Sequence, residues 1–214
     1  MSNSVAAGER RPAFSNNRFF ANFYERTSRR ESERRFMEPL RKEIVDAARG
    51  VVLEVGAGNG LNFAFYDPAQ VTRVEAVEPD SAMLGYARTR METARVPITL
   101  TQAPVEALPF PDATFDSALA TLVFCSVSDP LRGFAEIKRV LKPGGRLLLV
   151  EHVRAQGVFA ATIQNMMTPI MKRLAGNCHW NRDTAATVAA SGFQVKQRRD
   201  LGGLIPMIVM QATS

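Results

Sequence analysis

Val51-Val-Leu-Glu-Val-Gly-Ala-Gly-Asn-Gly60 begins as four apolar residues around one glutamate, the composition of a buried parallel strand. The strand runs straight into Gly56, Gly58 and Gly60, with Ala57 between the first two. Glycines so placed let the backbone turn sharply and let a ligand approach the main chain closely. The spacing is G-x-G-x-G, so the dinucleotide fingerprint G-x-G-x-x-G is not met. No Gly-Lys-Ser/Thr follows to make a phosphate-binding loop. Glu54, two residues before the first glycine, is out of place beside phosphates and suits a ligand with a cationic centre. S-adenosylmethionine is such a ligand: it carries a sulfonium and an ammonium and no phosphate. The same glycines would also serve a ligand-free strand-to-helix turn, so the flanking segments must decide.

Upstream, residues 1–15 are small, polar and charged, with Pro12, and are expected to be disordered. Asn16 or Asn17 can cap a helix. Phe19, Phe20, Phe23 and Tyr24 are expected on one helical face, followed by Arg26, Arg29, Arg30, Arg34 and Arg35. Phe36, Leu40, Ile44 and Val45 extend the apolar pattern to Ala48, and Gly50 ends it. Residues 1–48 thus read as a basic, aromatic helical arm, and 49–214 as one α/β domain.

Downstream, strands are expected at Val71–Val77, Ile98–Gln102, Phe115–Val123 and Arg146–Val150. Helices after Asp80 or Ser81 and over Leu131–Leu141 alternate with them. That alternation implies a Rossmann-like three-layer sandwich with a mostly parallel sheet. Phe193–Arg199 and Ile205–Gln211, joined through Gly202-Gly203, read as a closing antiparallel hairpin. Ligands in open α/β sheets bind beyond the carboxyl ends of the strands. Gly56–Gly60, Glu78, Pro104–Glu106 and Thr121–Cys125 all fall on that edge. Glu78 ends the second strand about 20 residues past the glycines, where an acidic residue accepts both hydroxyls of a ribose.

The 214 residues, 46% hydrophobic and 22% charged, suffice for one soluble domain of ordinary size. No run of about 18 apolar residues marks a transmembrane helix. Met1–Gly8 lacks the apolar core of a signal peptide. A cytoplasmic protein is expected, at most peripheral to the inner membrane surface. Residues 1–42 hold ten Lys/Arg against five Asp/Glu, and the rest 17 against 16. Five of the net six positive charges therefore fall in residues 1–42, so the basic character belongs to the arm. An enzyme of nucleic acids would spread it around a cleft, so no nucleic-acid partner is expected. Cys125 and Cys178 lie far apart without metal-ligand spacing. They are read as reduced thiols, and no metal is expected.

Taken in order, four segments resemble the class I S-adenosylmethionine-dependent methyltransferases across residues 50–155. They are Leu53-Glu-Val-Gly-Ala-Gly-Asn-Gly60, Val77-Glu-Pro-Asp80, Val105-Glu-Ala-Leu-Pro-Phe-Pro-Asp-Ala-Thr-Phe-Asp116 and Glu136-Ile-Lys-Arg-Val-Leu-Lys-Pro-Gly-Gly145. Leu61-Asn-Phe-Ala-Phe-Tyr66, Thr121-Leu-Val-Phe-Cys-Ser-Val127, Glu151-His-Val153 and Cys178-His-Trp-Asn-Arg-Asp183 further resemble the methyltransferase-like seven branch. Animal members of that branch methylate alkyl thiols at membranes. Two departures stand out: the long hydrophobic anchor of those members is not seen, and Asn177 stands where a glycine is more usual.

The resemblance implies a seven-stranded sheet with its last strand antiparallel, and S-adenosylmethionine as cofactor, leaving as S-adenosylhomocysteine. It implies Glu54 near the methionine ammonium through a water, and the backbone of Gly56, Ala57, Gly58 and Gly60 around the methionyl and ribose parts. It puts Glu78 on the ribose, Pro79 and Met83 beside the adenine, Pro104, Val105 and Glu106 at the adenine edge, and Thr121 and Leu122 at the methionine tail. Asn62, just past the glycines, and Tyr24 in the arm complete the expected cofactor set.

The expected acceptor is small and hydrophobic or lipid-like, a thiol first. An amino-lipid or quinone at a membrane surface is the alternative, and a non-catalytic cofactor-binding module is a third class. A general base would assist, and His152 and His179 are the candidates. Each has a structural alternative: His152 bonded to backbone, His179 packed beneath a helix capped by Asp183. Val158, Phe159, Ile163, Met166, Met167, Ile170, Met171 and Leu174 form an apolar, Met-rich helical surface. It reads either as the acceptor pocket or as core packing. The arm reads as a lid or as a membrane contact through its arginines. The oligomeric state is left open.

Overall fold

The computed structural model describes residues 15–174, 177–203 and 205–214. Most of the expected disordered stretch, including Pro12, lies outside them, as does Leu204 of the terminal hairpin. Helices α1 (Arg18–Ser28) and α2 (Glu31–Asp46) lead into β1 (Gly50–Val55). Then come β2 (Val71–Val77), α3 (Ser81–Met91), β3 (Ile98–Thr101), β4 (Phe115–Thr121), α4 (Pro130–Val140) and β5 (Leu141–His152). The chain ends with α5 (Val158–Leu174), α6 (Thr184–Ala190), β6 (Gln194–Leu201) and β7 (Met207–Thr213).

The sheet has seven strands in the order β3-β2-β1-β4-β5-β7-β6. β1 is parallel to β2 on one side and to β4 on the other. The chain order reverses at β1, and such a switch point leaves a crevice at the strand's carboxyl end. The glycine loop begins there. β7 runs antiparallel between β5 and β6, which closes the sheet as a hairpin.

Both faces of the central strands are buried, and alternate residues face opposite layers. Leu53, Ala118, Leu147 and Ile208 pack with Phe134, Ile137 and Val188 from α4 and α6. Their neighbours Val52, Leu119, Leu148 and Val209 pack with Leu40, Ile44 and Val45 from α2 and with Phe63 and Tyr66. Arg139 ties α4 to the loop between β3 and β4 by donating to the carbonyls of Leu108 and Phe110 and to Asp112. Two of the segments behind the family resemblance are thus one polar clamp.

Three local expectations are corrected. The arm is two helices, broken at Arg29-Arg30, where no proline or glycine signals a stop; Pro39 lies inside α2 instead. The four aromatics do not share a face: Phe19 and Phe23 are exposed, whereas Phe20 and Tyr24 turn inward. A step of one residue rotates a helical position by a full hundred degrees or so, enough to separate the pairs.

Helix α5 is inside out. Ala161, Gln164 and Thr168 face the body, while Val158 (87% exposed), Phe159 (81%) and Met166 (72%) face away, with Ile163 and Ile170. Gln164 anchors it, donating to the Val153 and Trp180 carbonyls and accepting from the Ala155 N–H. Those five residues are therefore not core packing, while Met167 and Met171 of the same expected surface are half-buried. Leu174's side chain lies outside the described residues. No helix among the described residues is long and apolar enough to cross a membrane.

Candidate active site

A cavity of about 1050 Å³ opens at the switch point. Tyr24, Gly56, Ala57, Gly58, Asn62, Glu78, Pro79, Met83, Pro104, Val105, Glu106, Thr121 and Leu122 line it. Glu54, Gly60, His152 and His179 do not. Four segments distant in sequence meet there because each ends a strand on the same edge.

The glycines divide their work. All three have positive φ: +59° at Gly56, +56° at Gly58 and +80° at Gly60. A Cβ on Gly56 would lie 2.6 Å from Val123, and one on Gly60 2.8 Å from Phe63. Those two are small so that the loop can pack. A Cβ on Gly58 would meet nothing closer than 3.9 Å, so this residue leaves its backbone open to a ligand. Leu122, at the mouth of β4, also has positive φ (59°), a conformation that costs a non-glycine residue of order 1–3 kcal/mol and collects at functional sites.

Glu78 is 8% exposed. One carboxylate oxygen accepts from the Gly58 N–H (2.9 Å) and the other from the Asp80 N–H (2.9 Å). A carboxylate has about four acceptor positions, so each oxygen keeps capacity for a vicinal diol in the cavity. Burial pushes the Glu78 pKa up to about 7, against those two hydrogen bonds.

Behind the glycines lies a second polar group. Glu54, 1% exposed, accepts from Tyr66 Oη (2.7 Å) and Asn62 Nδ2 (3.0 Å). Burial raises its pKa to about 7. Asn62 screens it from the cavity and accepts from Arg41 (3.1 Å), which also donates to Tyr24 Oη (3.2 Å). Arg41 is 7% exposed yet lines the cavity. A guanidinium has five donors, so three remain for a carboxylate. The residues fit S-adenosylmethionine: Glu78 for the ribose, Arg41 for the α-carboxylate, and the Glu54–Asn62 pair for the ammonium.

These pKa values carry a pH dependence. Glu54 and Glu78 take up protons below about pH 7, and a protonated carboxyl is the weaker partner for an ammonium. Affinity for S-adenosylhomocysteine is expected to rise about tenfold from pH 6 to pH 8 for one such group that must ionise. Without ligand the sign is opposite. The folded values lie above the ordinary 4.5, so stability falls as pH climbs from there to about 7. Calorimetric titrations at both pH values check this; a flat profile would exclude ionisation of either group from binding.

The arm lies across this loop. Ser15 Oγ and the Asn17 N–H donate to Asp80 (2.6 and 2.8 Å). Glu25, 5% exposed, accepts from Asn59 Nδ2 (2.6 Å), Arg90 (2.9 Å) and Arg29 (2.7 Å). Between these clasps, Phe20 and Tyr24 form one wall of the cavity.

The two histidines lie elsewhere. His179 packs on the loop after β4, its backbone N–H donating to the Cys125 carbonyl (2.6 Å) and its Nδ1 3.3 Å from the same oxygen. Burial and the Arg182 charge lower its pKa. His152 ends β5 beside Cys178 Sγ, 4.0 Å from its Nδ1. Asn177 explains its own departure from the family pattern: its φ is 67°, and asparagine is among the residues that best tolerate this region in place of glycine.

Arg41 and Phe20 were absent from the expected cofactor set. Arg41 left a signal. It interrupts the buried stripe Met37, Leu40, Ile44, Val45 of α2, and a charge inside an apolar stripe needs a partner.

Residues 53–149 match the methyltransferase domain family. Thiol S-methyltransferase TMT1B of Rattus norvegicus is 31% identical over 172 residues, 78% of this chain and 70% of that protein. A phosphatidylethanolamine N-methyltransferase of Cereibacter sphaeroides is 33% identical over 144 residues, 66% of this chain and 68% of that protein. In fold, the chain is similar to the [4+2]-cyclase SpnF, with a TM-score of 0.70 at 16% identity over 95% of this chain and 97% of that one. With the reversal of strand order at β1, the glycine loop beyond it and a relative matched across most of both chains, this protein belongs to the class I S-adenosylmethionine-dependent methyltransferases, close to their thiol S-methyltransferase branch.

Proposed function

We propose that the protein methylates a small hydrophobic or lipid-like acceptor, a thiol first among them, met at a membrane surface. The observation that carries this reading is α5. Its outer face is apolar from Val158 to Ile170, and Lys172 and Arg173 in its last turn line the cavity. One helix thus joins an apolar outer surface to the site. Its basic end suits both anionic headgroups and an acceptor that reacts as an anion. Similarity to a thiol S-methyltransferase and to a phospholipid methyltransferase supports the same class of acceptor.

When bound, the cofactor supplies a methyl group already activated on a sulfonium. The chain's share is then placement and exclusion of water. Phe20 and Tyr24 cover the site, and Thr121 and Leu122 set the end of β4 against it. A thiol reacts as its thiolate, which is the minority form at pH 7. Lys172 and Arg173 raise that fraction, and the proton passes to water. No histidine is required on the cavity wall.

The test is S-adenosylhomocysteine release by the purified chain with alkyl thiols, quinols and phosphatidylethanolamine vesicles. Alkyl thiols are expected to turn over. Turnover of the amino-lipid or the quinol alone would move the acceptor to the alternative reading. Tight cofactor binding with no release on any acceptor would favour the non-catalytic module.

A further inference from the structure

Cys125, His152 and Cys178 converge although the sequence separates them. Their sulfur and ring-nitrogen atoms all lie within 4.8 Å of one another. The three come from the loop after β4, the end of β5 and the loop after α5. Local ligand spacing is therefore missing, which is why the cysteines read as unrelated thiols.

From this geometry we infer that Cys125 Sγ, His152 Nδ1 and Cys178 Sγ form a binding site for a thiophilic divalent cation of the zinc class. Tetrahedral zinc, with bonds of about 2.3 Å to sulfur and 2.0–2.1 Å to nitrogen, sets its ligands about 3.6–3.8 Å apart. Cys178 Sγ and His152 Nδ1 are already at 4.0 Å, so side-chain adjustment alone closes the site. Two thiolates and an imidazole select zinc over the oxygen-seeking magnesium, calcium or manganese. Three protein ligands leave a fourth position for water or another small ligand.

The frame around the three is built. Glu151, fully buried, accepts from the Val123 and Phe124 N–H groups (2.8 and 3.0 Å) and fixes the loop that carries Cys125. Its other oxygen, Oε2, is buried with no hydrogen-bond partner among the described residues. A buried acceptor left so is costly. Arg182 donates to the Phe124 and Val127 carbonyls, and Asn177 donates to the Ser126 carbonyl (3.1 Å) as it delivers Cys178.

A dication binds the thiols as thiolates, so both protons are released to solvent on binding. Val123, Ser126 and Asn177 flank the ligands and line the cavity, so the cation would brace the wall of the active site. This inference does not depend on the acceptor.

The test uses the full chain, stripped with a chelator under reductant, and titrated with Zn²⁺ and with Co²⁺. One equivalent per chain is expected, with thiolate-to-cobalt charge-transfer bands and the ligand-field bands of a tetrahedral ion. Cys125→Ser, His152→Ala and Cys178→Ser should each weaken zinc binding about a hundredfold or more. S-adenosylhomocysteine affinity, measured on every variant, reports folding independently, because none of the three lines the cavity. No uptake by the reduced wild-type chain, or equal uptake by the variants that still bind S-adenosylhomocysteine, overturns the site. So does a Cys125–Cys178 disulfide on mild oxidation in a chain that takes up no metal when reduced.

Discussion

Replacing Glu78 by Ala is expected to lower affinity for S-adenosylhomocysteine a hundredfold or more and to leave the fold standing. Two charge-assisted hydrogen bonds to ribose are lost, each of about 1.5–3 kcal/mol. The Gly58 and Asp80 N–H groups lose their acceptor as well, so the loop that must hold the ligand relaxes. The fold itself suffers less. Burial has already driven the Glu78 pKa to about 7, which means that the ionised side chain is held at a cost in the ligand-free protein. Removing it relieves that cost while it orphans two donors near the surface of a cavity that admits water. Glu78→Gln separates shape from charge: it keeps an acceptor for one hydroxyl and is expected to fall between Ala and wild type. Calorimetric titration beside a thermal melt measures both quantities. Unchanged affinity in the alanine variant, with an unchanged melt, would remove Glu78 from the site.

The place of Glu78 on the cavity wall was legible in the sequence for the reason that most of the strand-end residues were. A ligand at a switch point is held by short contiguous segments, each at the end of one strand. A strand, a glycine loop and an acidic strand end can be read without knowing what packs on them. The parallel sheet follows from the alternation of elements, and the hairpin from its turn residues. Arg41 showed only as a charge inside an apolar stripe, because its role depends on which way α2 faces, and that is settled by packing against β5 and β4. The Cys125, His152 and Cys178 cluster was hidden more completely, since three separate elements must meet before any pattern exists. Helix α5 misled for another reason. Its apolar period is real, but the face that packs is Ala161, Gln164 and Thr168, held by three hydrogen bonds from one glutamine. Periodicity finds an apolar stripe; it does not say what the stripe touches.

Deleting residues 1–30 is expected to weaken S-adenosylhomocysteine binding at least tenfold and to slow turnover on a soluble acceptor, while vesicle binding survives. The arm's inner face is committed to the cofactor loop. Glu25 takes hydrogen bonds from Asn59 and Arg90, and hydrogen bonds to a charged group contribute about 1.5–3 kcal/mol each. Deletion leaves Arg90 and Asn59 to water and takes Tyr24 from Arg41. It also strips Phe20 and Tyr24 from the cavity, so water enters where a lid would exclude it. The arm is expected to be the weaker membrane anchor. Arg29, Arg34 and Arg35 are each paired with a glutamate four residues away, which offsets the pull of an anionic surface, about 1 kcal/mol for each free basic residue. The exposed residues of α5 offer the larger apolar face. Changing Val158, Phe159 and Met166 to Ser should therefore abolish sedimentation with anionic vesicles and spare cofactor affinity, the reverse of the truncation. Raised salt should weaken the electrostatic part of that binding, as the Debye length shrinks from about 10 Å at 0.1 M to about 3 Å at 1 M. Full cofactor affinity and full turnover in the truncated chain would rule the lid out. Loss of vesicle binding on truncation, with the α5 variant still bound, would place the membrane contact on the arm instead.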